Sequence, residues 1–129
     1  MNLLLDTHAL LWWLAGHPRL GREAHALIAD PGHNVYVSAA TAWEIAIKAS
    51  LGKLVIPPDV STWLPYQLES NRFVPLPITV AHALGVARLP PHHTDPFDRV
   101  LIAQAQAEGL TLVSSDEQLG RYGVPLIRC

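Results

Sequence analysis

The chain has one cysteine in 129 residues, and it is the last one, Cys129. A single thiol excludes an internal disulfide, so the fold does not depend on oxidation and suits the cytoplasm. At that position Cys129 reads as a frayed terminal residue. No apolar run approaches the roughly 18 residues that a membrane-spanning helix requires, so no membrane association is expected. The apolar opening MNLLLDTHALLWWLAG has no basic n-region, and Asp6 and His8 interrupt it. It reads as mature structure rather than as a cleaved signal. Positive charge is scarce too: nine Lys and Arg stand against eleven Asp and Glu, for a formal charge of −2. The broad basic face of many nucleic-acid binders is missing. A nucleic-acid enzyme of this charge needs locally placed cations, a metal ion among them. Seven histidines without HxxxH spacing or a cysteine pair argue against zinc. No internal repeat, low-complexity tract or linker interrupts the chain.

What is present is apolar. Hydrophobic residues make up 50% of the chain against 16% charged, with a mean hydropathy of +0.20. Some apolar surface is therefore expected to face a partner. The length suits one domain over residues 1–129 with a core of its own. Leu3-Leu4-Leu5 reads as a short buried strand, followed by a helix from about Thr7 to Ala15 and a second from about Gly21 to Ala29. Val35–Val37 is the next strand, and Ser38 or Thr41 caps a helix that Gly52 stops. Asp59 opens a helix to about Ser70, which Pro65 is expected to kink or split. Phe73-Val74 is a weak strand bounded by Pro75 and Pro77, and Thr79 begins a short helix to about Val86. Asp95-Pro96 opens a clear helix to about Glu108, with proline at its first position. Leu110–Val113 is a strand, Asp116 opens one or two helical turns, and Pro125–Ile127 is a last strand. Short apolar strands alternating with helices point to an α/β fold, a parallel sheet covered on both faces.

Four acids fall where such a fold places ligands. Asp6 follows the first strand directly, and ligands bind beyond the carboxyl ends of parallel strands where the strand order reverses. Asp116 repeats this after the fourth strand, so the two face each other if those strands are neighbours. Position alone leaves each of them as either a site residue or a helix cap. Asp95, before Pro96, is a near-ideal cap. Asp98, at the third helical position, is then spared that duty and is the better ligand candidate. Glu44 pairs with Lys48 at i,i+4, yet Ala40, Ile47 and Leu51 flank it, which is not a solvated stripe. Clustered carboxylates resist joint ionisation unless a cation lies between them, and oxygen-only ligation suits Mg²⁺ or Mn²⁺. Hydrolysis of a phosphodiester is the natural reaction for such equipment.

The segments LLLDTHALLWWL, VSAATAWEIAIKASLGKL, HHTDPFDRVLIAQAQAEGLTLVSSDEQL and YGVPLI together resemble a PIN-domain protein of the VapC type, the toxin ribonucleases of bacterial toxin–antitoxin pairs. The resemblance spans nearly the whole chain in order and spacing. It implies a five-stranded parallel sheet between helices and an acidic Mg²⁺/Mn²⁺ pocket made by Asp6, Glu44, Asp98 and Asp116. In that pocket Asp6, Asp98 and Asp116 hold the metal, and Glu44 binds it directly or through water, or orients and deprotonates the attacking water. Ser114 matches the Ser or Thr that the family often carries two residues before the last acid, and Asp95 is typical of the DPFDR subgroup. The resemblance also implies an RNA substrate, a cognate antitoxin that blocks the site, and a homodimer.

Other residues keep two readings. Arg99 contacts phosphate or pairs with an acid. His8, His92 and His93 lie near the proposed ligands and are read first as loop or cap hydrogen-bonders. Trp43 and Trp63 are read as core or groove-lining rather than as base-stacking platforms. The helix ALLWWLA is apolar all round, so Trp12 or Trp13 is expected under another chain. Against the ribonuclease stand a non-catalytic binding module using the same acids as caps, and a metal-dependent DNA nuclease or phosphatase.

Overall fold

The computed structural model describes residues 1–129. Five strands, β1 (Asn2–Leu5), β2 (Asn34–Ser38), β3 (Val74–Leu76), β4 (Thr111–Ser114) and β5 (Leu126–Arg128), form one sheet in the order β3-β2-β1-β4-β5. Every pairing is parallel. The helices are α1 (Thr7–Ala15), α2 (Arg22–Ala29), α3 (Ala39–Ser50), α4 (Val60–Ser70), α5 (Val80–Gly85) and α6 (Pro96–Glu108). Short 3-10 segments lie at Pro18–Leu20, Val86–Arg88 and Glu117–Tyr122.

Burial follows from the period-2 alternation of β1 between two helical layers. Leu3 and Leu5 join Val35, Val37 and Val113 in a core covered by Leu10 of α1, Ile28 of α2 and Leu64 and Leu68 of α4. Leu4 and Leu112 face the other way, against Leu101, Ile102 and Ala105 of α6 and Leu119. Leu3, Leu4 and Leu5 are all 0% exposed, and each full burial of such a side chain contributes about 1.5–3 kcal/mol.

The chain runs outward from β1 to β2 and β3, then returns to the other side of β1 as β4. The order therefore reverses between β1 and β4, and their carboxyl ends flank a crevice. This is the neighbour relation that the pairing of Asp6 with Asp116 requires.

Several local expectations need correction. Pro65 does not split α4, which runs unbroken through it. Pro65 and Ser61 are both exposed, so the helical bond that proline forfeits leaves a carbonyl open to water rather than buried. β3 begins one residue later than expected and passes through Pro75. It is an edge strand bonded only to β2, the position where a missing N–H is tolerated. Phe73 precedes the strand and packs in the core instead. Both tryptophans of α1 are half-buried by their own chain. Trp13 is half-buried, donates from Nε1 to Asn71 Oδ1 at 2.8 Å, and packs on His25 and Phe73. Trp12 is half-buried, with the rings of His8 and His17 and the Arg19 guanidinium beside it. Cys129 is not frayed: its N–H donates to the Ser114 carbonyl at 3.1 Å, and burial pushes its thiol up to about 11. No helix is long and apolar enough to cross a membrane.

Candidate metal centre

β1 delivers Asp6 into the crevice. Its backbone N–H donates to Val113 of the neighbouring strand at 3.1 Å, and its Oδ1 accepts from Ala9 N at 2.8 Å, capping α1. β4 delivers Asp116 by the same device: Oδ1 caps the 3-10 turn through Gln118 N at 2.9 Å. The cap and site readings of these two acids are thus not alternatives. Ser114 is fully buried between them, accepting from Asp116 N at 3.0 Å and hydrogen-bonding Asp6.

α6 contributes the next pair. Asp95 Oδ1 accepts from Phe97 N at 2.9 Å and Asp98 N at 3.2 Å, so the cap belongs to Asp95. Asp98 is left to project from the first turn. From α3, Glu44 is only 6% exposed, on the buried face of the helix with Ala40, Thr41 and Ile45. Thr7 Oγ1 donates to its Oε1 at 2.5 Å, and Lys48 Nζ donates to its Oε2 at 2.5 Å. Glu44 forms the expected i,i+4 pair and still lines the cleft, because that pair crosses the cleft's edge.

All of these acids line one cleft of about 350 Å³ with Thr7, His8, Lys48, His93 and Ser115, and none of its lining residues is hydrophobic. A larger apolar groove, about 640 Å³, lies along α3 and α4 but has one charged lining residue, Glu69. Chemistry that needs convergent charge belongs to the smaller cleft. Burial pushes the Asp6 carboxyl up, against hydrogen bonds from Ser114 and Ala9 and attraction from His8. Burial also pushes Asp98 up to about 7, helped by the charges of Asp95 and Asp6 and opposed by His93. Crowded, half-desolvated carboxylates of this kind await a cation.

The cation position within the protein itself is taken by His93, which its sequence position marks first as a loop residue. Its Nδ1 accepts from Asp95 N at 3.1 Å, so Nε2 carries the ring hydrogen. Nε2 lies 2.8 Å from Asp116 Oδ2 and 3.2 Å from Asp98 Oδ2. Its loop hydrogen bonds and its contacts with the cleft acids thus coexist. The potential ligand atoms of His93, Asp98 and Asp116 lie within 4.8 Å of one another, a tight group that includes neither Asp6 nor Glu44. The residues present fit a hard divalent ion: the carboxylates supply oxygen, and there is no cysteine in the cleft.

Two further expectations are corrected. Arg99 neither faces the cleft nor pairs with an acid. Its guanidinium donates to the carbonyls of Val86, Leu89, Pro90 and His93 and to the Tyr122 hydroxyl, at 3.0–3.4 Å. It fastens the loop that carries His93. Trp43 is not core: it is 62% exposed and meets the Phe97 ring in a T-shaped arrangement, at 5.2 Å between ring centroids. Trp63, in contrast, packs against the first core as expected. Thr7 is a site residue that the sequence does not reveal, because a threonine after an N-cap carries no mark of a bond 37 residues away.

A family model for the PIN domain matches residues 3–125. The chain is 32% identical over 124 residues to Ribonuclease VapC22 of Mycobacterium tuberculosis, covering 96% of this chain and 94% of that one. Its fold is similar to a chain of the VapBC2 crystal structure from Rickettsia felis, with a TM-score of 0.74, 16% identity, and coverage of 99% and 98%. A chain of VapBC-5 from Mycobacterium tuberculosis, a member of the VapBC family of toxin–antitoxin systems, gives a TM-score of 0.62 at 20% identity, covering 99% and 98%. With the acids at the β1/β4 switch point and a family match along nearly its full length, the chain belongs to the PIN-domain family and is of the VapC type.

Proposed function

We propose that the protein is a divalent-metal-dependent endoribonuclease that acts as the toxin of a toxin–antitoxin pair. The observation that carries this reading is the convergence of Asp6, Glu44, Asp98 and Asp116 on one cleft at the β1/β4 switch point. The ribonuclease name of a relative matching along nearly the full chain supports RNA as substrate. The structural likeness to VapBC assemblies supports an antitoxin partner. α5 exposes Val80 and Leu84, apolar surface that suits a homodimer.

Asp6, Asp98 and Asp116 would hold Mg²⁺ or Mn²⁺ directly. When bound, such an ion supplies electrostatic stabilisation to a phosphoryl group and makes water more acidic. Asp6 is held rigid by its cap, its strand bond and Ser114, so the cleft is organised before substrate arrives. Glu44 is held by Thr7 and Lys48 with both oxygens engaged, which suits orienting an attacking water more than ligating metal. In hydrolysis that water would add to phosphorus as the bond to the leaving oxygen breaks, one water proton passing to a carboxylate and the leaving oxygen taking up a proton from solvent.

The test is cleavage of single-stranded RNA by purified protein in Mg²⁺ or Mn²⁺, beside single-stranded DNA and a small phosphate ester. RNA cleavage abolished by EDTA and by Asp6→Asn is expected. Activity indifferent to both changes overturns the mechanism, and preference for DNA or the ester reassigns the substrate.

A further inference from the structure

Beside the acidic cleft the surface changes sign. His8 and Ser115 line the cleft and also line an adjoining depression of about 410 Å³ with Trp12, Arg19 and Cys129. Trp12 in turn lines a further depression that includes His17, Arg22 and His25. No Asp or Glu side chain lines either depression. In a chain with more acids than bases, this is a local concentration of basic groups. Arg19 sits over the Trp12 ring at 5.7 Å, and the rings of His8 and His17 lie 5.7 Å and 6.2 Å from it. Neither Arg19 nor Arg22 is in an ion pair, so both charges remain available.

We propose that this strip is the track along which the single strand of the substrate leaves the catalytic cleft: Trp12 offers a base-stacking surface, and Arg19 and Arg22 hold backbone phosphates. The inference rests on the ribonuclease reading above. Its physical basis is independent of the acids: grooves for single strands combine aromatic faces with cations that follow the backbone. Continuity through His8 and Ser115 places this one against the hydrolytic site. It also answers how a chain of net charge −2 holds a polyanion, since the cations are gathered on one edge rather than spread. An arginine over an aromatic ring is already arranged to sandwich a base or bridge to phosphate.

The test uses the full chain with Arg19→Glu and Arg22→Glu together, both at exposed positions. Lys53→Glu with Arg88→Glu is the control, with the same charge change away from the strip. Binding of a labelled RNA of about twelve nucleotides, within the span of such grooves, is measured in the Asp6→Asn background across a salt series. The track variant is expected to bind at least about tenfold more weakly. Its slope of log affinity against log salt should shrink by about 1.4, from about 0.7 for each phosphate no longer neutralised. In the active background, kcat/KM should fall about tenfold on the long strand and much less on a dinucleotide. Trp12→Phe, which keeps an aromatic ring at this position, should abolish most of the tryptophan fluorescence quenching by RNA. Native affinity and slope in the Arg19/Arg22 variant overturn the proposal. So does equal loss on long and short substrates, or tight binding of poly-glutamate alongside native RNA affinity, which assigns the strip to a protein partner. If the unaltered protein cleaves neither substrate in Mg²⁺, the ribonuclease reading itself has failed, a result distinct from all of these.

Discussion

His93 Nε2 stands 2.8 Å from Asp116 Oδ2 and 3.2 Å from Asp98 Oδ2, so one imidazole N–H bridges two of the proposed metal ligands. With Nδ1 committed to Asp95 N, the neutral ring has no lone pair left to offer a metal from this pose. If the proposed metal binds these carboxylates, His93 competes for its place. His93→Ala should tighten Mg²⁺ binding at least about tenfold, because the ion no longer displaces a hydrogen bond to a charged group worth about 1.5–3 kcal/mol. Calorimetric titration checks this. Weaker Mg²⁺ binding in His93→Ala makes the histidine a ligand instead.

The raised Asp98 carboxyl predicts how the metal-free protein responds to pH. Its folded pKa of about 7 stands above the ordinary carboxyl value of 3.8. Below the lower value the group is protonated in both states and adds nothing. Between about 4 and 7 the unfolded chain loses the proton and the folded chain keeps it, so stability falls as pH rises. The loss is complete above about 7. Because the side chain keeps 21% of its surface in water, about 1–2 kcal/mol is expected rather than the full shift. Thermal unfolding of metal-free Asp98→Asn should show a flatter profile over this window and a higher midpoint at pH 8. Saturating Mg²⁺ should flatten the native profile too. A native midpoint that rises from pH 5 to pH 8 without metal contradicts the assignment.

Thr7 and Glu44 give a third test. Removing the hydroxyl with Thr7→Val strands a buried carboxylate oxygen, which costs about 1–3 kcal/mol. Thr7→Ser retains the donor and should recover most of the loss. If Glu44 orients the attacking water, Thr7→Val should also lower kcat more than it raises KM, at temperatures where it is still folded. Equal stability of the Val and Ser variants in a denaturant titration removes the Thr7–Glu44 bond from the account.

Much of this site is legible in the residue string, for local reasons. Asp6 and Asp116 are marked by an apolar strand before each and a helix start after it. Parallel-sheet geometry then brings them together once β1 and β4 are neighbours. The division of labour between Asp95 and Asp98 follows from Pro96, which fixes where α6 begins. What is not legible depends on contacts far apart in sequence. Arg99 looks like a phosphate ligand because it follows a site acid, yet α6 turns it toward the carbonyls of residues 86–93. His93 looks like a loop residue because the 23 residues separating it from Asp116 hide their contact. Trp43 reads as core or groove-lining, but the buried face of α3 carries Ala40, Thr41, Glu44 and Ile45 and leaves Trp43 outside.

Arg99 yields a stability prediction that distinguishes its observed role from phosphate binding. Arg99→Lys keeps the charge but has no planar fork with which to span several carbonyls. It should lower stability by about 2–3 kcal/mol and speed amide exchange across residues 86–95. A variant with native stability and exchange but weakened RNA binding restores the phosphate reading.

Asp95 lies in the cleft and caps α6, and substitution separates the two roles. As a cap alone, its loss in Asp95→Ala should cost about 1 kcal/mol. Asp95→Ser should recover that stability, because serine accepts the same N–H bonds. Serine carries no negative charge, so a carboxylate ligand at this position would lose Mg²⁺ affinity by an order of magnitude or more in the same variant. The bonds of Oδ1 to Phe97 N and Asp98 N fix the carboxylate at the helix end, and Asp95 acts on the centre through charge, as one cause of the raised Asp98 pKa. Asp95→Ser is therefore expected to unfold like the native protein and bind Mg²⁺ within about threefold of it, with the Asp98 titration moved down. A stable Asp95→Ser protein that no longer binds Mg²⁺ by calorimetry makes Asp95 a ligand.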